Sequence, residues 1–181
     1  MKDYFLLYKP FLFFLAKFFV TYLVFSFLYH TYLNQFDIKK NEVDSFTVEV
    51  ARQSKIILTV FDSTAFSSLN DTEPSVKLFY HNKWVSRIIE GCNAISVMIL
   101  FLSFIVAFSG KAKTTLAFSL FGIVLIHAFN IIRIALLSMA VFHFPNQQDF
   151  LHSVIFPLFI YGVVFLLWII WVNNYSHYAK K

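Results

Sequence analysis

Residues Thr114–Phe142 read TTLAFSLFGIVLIHAFNIIRIALLSMAVF, an apolar run interrupted by one permanent charge, Arg133. A helix needs about 20 mostly apolar residues to cross the roughly 30 Å hydrocarbon core of a bilayer, and this run is longer. The rest of the chain has too little polar surface to cover such a segment in water. Of 181 residues, 59% are hydrophobic, 20% aromatic and 14% charged, and 25 are phenylalanine. Mean hydropathy is +0.67. Soluble domains carry about 25% charged residues, and surface-to-volume scaling leaves much of a chain this size wet. A soluble globular enzyme and a disordered chain are excluded. A single cysteine also excludes an intrachain disulfide scaffold. The sequence therefore reads as an all-α integral membrane protein.

Three further stretches meet the same criterion, from about Phe11 to Leu33, Ala94 to Phe108 and Ser153 to Val172. The first is long, Phe-rich and lacks a small-x-small exit, so it reads as an anchor and not as a cleaved signal peptide. Short loops that hold positive charge stay in the cytoplasm. Lys2 and Lys9 precede the first span, Lys111 and Lys113 lie between the second and third, and Lys180 and Lys181 close the chain. All three pairs fall on one side only with four transmembrane helices and both termini cytoplasmic. The net charge of +5 thus sits at segment ends and forms no nucleic-acid patch. The expected organisation is an N-terminal segment and first helix over 1–33, an extracytoplasmic loop over 34–91, and a three-helix core with a cytoplasmic tail over 92–181.

The outer loop is balanced in charge and long enough to cross regardless of it. Phe46, Val50, Ile57, Val60 and Phe61 recur at helical spacing, which predicts an amphipathic helix on or above the bilayer. Phe66–Pro74, rich in Ser, Asn, Asp and Thr, reads as an irregular break. Val76–Tyr80 and Trp84–Ile89 flank His81-Asn82-Lys83 and predict a small β-hairpin whose second strand feeds the second span.

Ionisable groups inside a membrane are costly, and each is a functional-site hypothesis by default. Arg133 lies within the third span among isoleucines and leucines, about 13 Å of helix from Phe142 at 1.5 Å per residue. A guanidinium stays charged there and must face protein or a wet pocket. Asn130 and His127, one and two turns earlier, are expected on the same broad face. Cys92 stands where the outer loop enters the second span. A helix N-terminus beside it favours thiolate, and Ser96 extends a polar stripe from it. His152 opens the fourth span, with Asp149 three residues before it to hold the imidazole. His143 is an alternative base. Pro157 is expected to kink the fourth span. A nucleophile, a permanent cation and a titratable base on three helices near one membrane face are the parts of acyl transfer. No GxGxxG, CxxC or HExxH occurs, and Cys92 with His152 gives too few ligands for zinc. No cofactor and no metal are expected.

Glu90-Gly91-Cys92-Asn93-Ala94-Ile95 resembles the E-A-C-S-G-I type motif of the exosortase/archaeosortase family of membrane cysteine transpeptidases. Asn130-Ile131-Ile132-Arg133-Ile134 resembles that family's intramembrane arginine motif, and Asp149-Phe150-Leu151-His152 falls where exosortases carry a histidine. The resemblance covers roughly residues 76–172 and is greatest to the small F-type exosortases. It departs from the family at Asn93 and Ala94, which replace Ser-Gly.

The resemblance implies a sorting enzyme of the cytoplasmic membrane with its site on the extracytoplasmic side. It implies catalytic roles for Cys92, Arg133 and His152, with Asn130, Asp149, Asn93 and Ser96 in support. Implied partners are secreted proteins bearing a C-terminal motif, a transmembrane helix and a basic tail, with the bilayer around them. A companion membrane protein is left open, as is transfer to an acceptor versus hydrolysis. The rival reading is a non-catalytic four-helix assembly or transporter accessory subunit, in which Arg133 pairs with a partner's carboxylate and Cys92 merely packs.

Overall fold

The computed structural model describes residues 2–108 and 110–176, the first six as backbone alone. The expected Lys180–Lys181 end, like the side chain of Lys2, lies outside the described residues. Four long apolar helices account for most of the chain: α1 (Lys2–Leu33), α3 (Ile95–Ala107), α4 (Ala112–His143) and α5 (Phe156–Asn174). Three segments are long and apolar enough to cross a membrane, Tyr8–Leu33, Ala112–His143 and Pro145–Asn174. α3, expected as a full span, has 13 residues, about 20 Å of helix. The residues before it, Glu90–Cys92, form a 3-10 turn instead. The helix cannot extend back through Ala94, whose φ of 64° is left-handed.

α3 is enclosed by the other three helices. Phe14 of α1 meets Phe104 and Phe108, with ring centroids 6.1 and 4.5 Å apart. Gly122 of α4 leaves room for the ring of Phe101, which any larger residue there would strike. Trp171 of α5 donates its indole N–H to the Phe108 carbonyl at 2.8 Å, and Gly110 bridges to Ser176. The α3–α4 turn, with Lys111 and Lys113, therefore shares one end of the bundle with the end of α5 and the N-terminal half of α1.

At the opposite end the chain builds a small subdomain. α2 (Ser45–Phe61) starts at Asp44, whose carboxylate accepts the Thr47 N–H at 2.9 Å. Its inward face is Thr47, Val50, Ala51, Ser54 and Leu58. Of the five apolar residues expected on that face, Val60 and Phe61 are instead exposed. α2 is covered by a sheet and α4, so it is no lone interfacial helix.

That sheet corrects the all-α expectation. Strands β1 (Phe66–Leu69), β2 (Val76–Tyr80) and β3 (Lys83–Ile88) pair antiparallel in the order β1-β2-β3. β2 alternates cleanly, with Val76, Leu78 and Tyr80 facing the core. The hairpin turn is the two residues His81 and Asn82, with φ of 50° and 59°. Such doubly left-handed turns match the strands' right-handed twist. β1 lies within the segment read as an irregular break. Its composition hides it because it is held by backbone pairing and by one stack, Phe66 on Phe79 at 4.3 Å.

α4 joins the two parts. Its 32 residues make about 48 Å of helix, well beyond a hydrocarbon core of about 30 Å. From Ile131 onward it packs into the subdomain: Ile131, Ile134 and Ala135 share a core with Val50, Leu58, Leu78 and Ile88. Arg133 accordingly stands at the junction of bundle and subdomain, within the apolar segment Ala112–His143.

Asp62 secures the hairpin to the end of α2. Its carboxylate accepts the His81 N–H at 2.6 Å and the Thr64 N–H and hydroxyl at 3.0 and 2.8 Å. Burial works to raise its pKa, yet the N–H donors outweigh it and hold the carboxyl below the ordinary value of 3.8. A depressed folded value means stability present at neutral pH and lost as pH falls below about 4. Asp62→Asn is expected to lower the melting temperature at pH 7. The gap to wild type should close as the medium is acidified through that range, as read by tryptophan fluorescence during heating.

Candidate functional site

The turn that carries Cys92 is built from polar contacts on three sides. Cys92 ends the 3-10 turn, its N–H bonded to the Ile89 carbonyl at 2.9 Å. Asn93 is buried, and its amide donates to the Tyr29 hydroxyl of α1 at 2.9 Å and the Thr47 hydroxyl of α2 at 3.1 Å. Its carbonyl oxygen accepts the Ile95 N–H at 2.9 Å and so closes the first turn of α3. Ala94 adopts the left-handed conformation between them, which costs a non-glycine residue roughly 1–2 kcal/mol. A glycine, as in the motif this segment resembles, fits that backbone without strain.

Asn130, wholly buried on α4, donates to the Cys92 carbonyl at 2.9 Å. It thus holds the backbone of the cysteine and does not orient Arg133, the role suggested by its position in the sequence. Asn130→Ala would leave that carbonyl without its donor, at a cost of about 1–3 kcal/mol. We expect a lower melting temperature and at least a tenfold loss of substrate processing, measured on the same preparation.

Cys92, Arg133 and His152 line one cavity of about 310 Å3, together with Asp149, Phe156 and the end of β3. The cysteine is half-buried and is the single thiol of the chain. The Arg133 guanidinium lies over the Phe156 ring, 5.0 Å from its centroid. His152 meets the same ring edge-on at 6.0 Å. Arg133 Nε is buried with no hydrogen-bond partner. Among the described residues no carboxylate forms an ion pair with it. A half-buried cation with an unfilled donor beside a thiol is suited to receive negative charge from a ligand or an intermediate.

His152 sits in a π-helical turn, Leu151–Ile155, immediately before α5. Pro157 explains the turn: it lacks an N–H, and its ring would clash with the carbonyl four residues back. The wider π turn relieves both at this point of the chain. Asp149 lines the cavity but forms no hydrogen bond with His152, which is itself exposed. His143, the alternative base, is not part of the cavity wall and meets the Phe142 ring edge-on at 5.2 Å.

Two other expectations are corrected. Ser96 faces a separate groove between α1 and α3, with Tyr22, Ser26, Tyr29 and His30. Two residues, Asn93 and the left-handed Ala94, separate Cys92 from α3 and break the stripe. His127 does not share the face of Arg133. Six residues of helix set the two about 120° apart around the axis, and its Nε2 pairs with Gln53 of α2 at 2.8 Å. Sequence reasoning overlooked Phe156, although its place four residues after His152 already put the two on one helical face.

A family model described as transmembrane exosortase matches residues 5–172. The match takes in α1 and α2 as well as the motif-bearing region. No curated protein and no solved structure matches the chain. The match extends over nearly the whole length of a largely helical, apolar chain: the chain belongs to the transmembrane exosortase family.

Proposed function

We propose that this chain is a membrane-embedded cysteine transpeptidase that cleaves a C-terminal sorting signal from secreted proteins at the outer face of the cytoplasmic membrane. The observation that carries the reading is the single cavity bounded by Cys92, Arg133 and His152 from three separate segments. In this reading α1, α3, α4 and α5 all cross the bilayer, both termini are cytoplasmic, and the subdomain of α2 and β1–β3 stands outside. Lys111 and Lys113 at the far end of the bundle support that orientation.

The substrate's C-terminal helix lies in the bilayer and presents its motif at the cavity. His152 takes the Cys92 proton, and the thiolate attacks the scissile carbonyl. Arg133 stabilises the oxyanion. As the carbon–nitrogen bond breaks, His152 gives the proton to the leaving amine, and a thioester remains on Cys92. An acceptor amine then loses its proton through His152, attacks the thioester and restores the thiol. Asn130 and Asn93 hold the nucleophile turn, while Asp149 lends negative charge near His152. Ser96, across α3 from the cavity, has no part in these steps.

The test is the new C-terminus of secreted proteins that carry a motif, an apolar helix and a basic tail. It is read by mass spectrometry in cells with the wild-type chain or with Cys92→Ala. Loss of processing with the variant supports the reading. A free carboxylate at the new end would assign hydrolysis, and a covalent adduct there would assign transfer. Normal processing by the variant contradicts the enzyme and favours an accessory subunit.

A further inference from the structure

β3 is an edge strand: β2 pairs with one side of it, and no strand covers the other. Uncovered edges are templates for another extended chain, and proteins ordinarily blunt them. Here the strand carries one irregularity, a bulge at Val85 between its pairings with Phe79 and Leu78, and is otherwise held in place. Ser86 Oγ bonds to Ser138 Oγ of α4 at 2.7 Å, and Val85 and Ile88 are buried in the subdomain core. Val85, Ser86 and Arg87 form part of the wall of the cavity that holds Cys92. They also wall an adjoining groove of about 530 Å3 that runs back along β3 to Lys83 and Trp84, with Val141, Phe142, Pro145 and Gln148 opposite. Within this groove the Trp84 indole N–H donates to the Ser86 carbonyl at 3.0 Å.

Charge limits the occupant. Lys83 and Arg133 line the two connected spaces against one carboxylate, Asp149, while the charge of Arg87 is met by its ion pair with Glu73. A segment free of basic residues is favoured, and a basic tail is excluded. Direction limits it too. The chain runs along β3 toward Cys92 and on into α3, from subdomain into bundle. A secreted protein with its body outside and its C-terminal helix in the bilayer has the same polarity.

Resting on the transpeptidase reading above, we propose that the sorting segment binds as an added strand, parallel to β3. About four to six of its residues before the scissile bond would lie along Trp84–Ile88, at roughly 3.3 Å each. Backbone pairing supplies the affinity, and the groove opposite selects the side chains of alternate residues. In a parallel pair, every second residue of the added strand directs its N–H and C=O toward its neighbour.

That alternation is the test. The probes are synthetic peptides covering the motif, apolar helix and basic tail of a secreted protein from the same cell. Each carries one N-methyl group on a successive backbone amide before the helix. Binding is measured to the full-length Cys92→Ala chain in lipid nanodiscs, and cleavage by the wild-type chain. The expected result is a loss of about tenfold or more in both at every second position, with little change between. A peptide that is cleaved but shows no alternation overturns the strand pairing and leaves the sorting reading intact. Alternating binding without cleavage keeps the pairing and removes the enzyme. Absence of binding to the variant overturns the pairing whatever the cleavage result.

Discussion

Cys92→Ser is expected to lower substrate processing by on the order of 10³-fold or more, with insertion and folding preserved. The argument is chemical. Serine has the size of cysteine, but its hydroxyl is ionised far less readily and is a poor nucleophile without a closely placed base. The structure offers such a base only at the cavity wall, where His152 is exposed and unbound to Asp149. The fold should tolerate the exchange. Cys92 is half-buried and its sulfur makes no hydrogen bond among the described residues, so the stability change should stay within about 1 kcal/mol. The thermal melt of the purified variant and the mass of the substrate's C-terminus together check both halves of the expectation.

Arg133→Met is the second large effect, and its two readouts should move in opposite directions. The guanidinium is held without an ion-pair partner among the described residues, with Nε buried and unsatisfied over the ring of Phe156. Burying a cation in this way costs stability, and an apolar residue of similar volume is often neutral or better by about 1–4 kcal/mol. Removing a preorganised charge at the oxyanion costs about 10²–10³ in rate. The variant should therefore melt at the same or a higher temperature while processing falls by that factor. Arg133→Lys keeps the charge but loses the planar stack, and should fall between wild type and Arg133→Met. A merely structural arginine would give the reverse pattern, with stability lost and processing in proportion to folded protein.

Much of this arrangement is legible in the residues themselves. The apolar runs give the long helices because about 20 apolar residues have no other stable environment. The hairpin is legible because alternation on either side of His81-Asn82 survives in one face of β2. The segments of Cys92, Arg133 and His152 are legible because a thiol, a cation and an imidazole stand out against an apolar background. What stays hidden are contacts between segments far apart in the chain, which no local periodicity encodes. Thr47 and Tyr29 hold Asn93, Gln53 holds His127, and Ser138 holds Ser86. β1 is hidden because an edge strand needs little hydrophobic pattern of its own. The part of α4 that enters the subdomain is hidden for a related reason: α4 is uniformly apolar, so the sequence shows no boundary where Ile131, Ile134 and Ala135 join that core.

The central claim is that Cys92 forms a thioester with the substrate inside the shared cavity. The most direct measurement is the intact mass of the full-length chain in nanodiscs, incubated with a cleavable sorting peptide in the absence of any acceptor amine. The account predicts an adduct with the mass of the peptide's N-terminal part, attached at Cys92, released by neutral hydroxylamine and missing from Cys92→Ser. Cleavage that proceeds with no adduct, or that continues in Cys92→Ser, would contradict it.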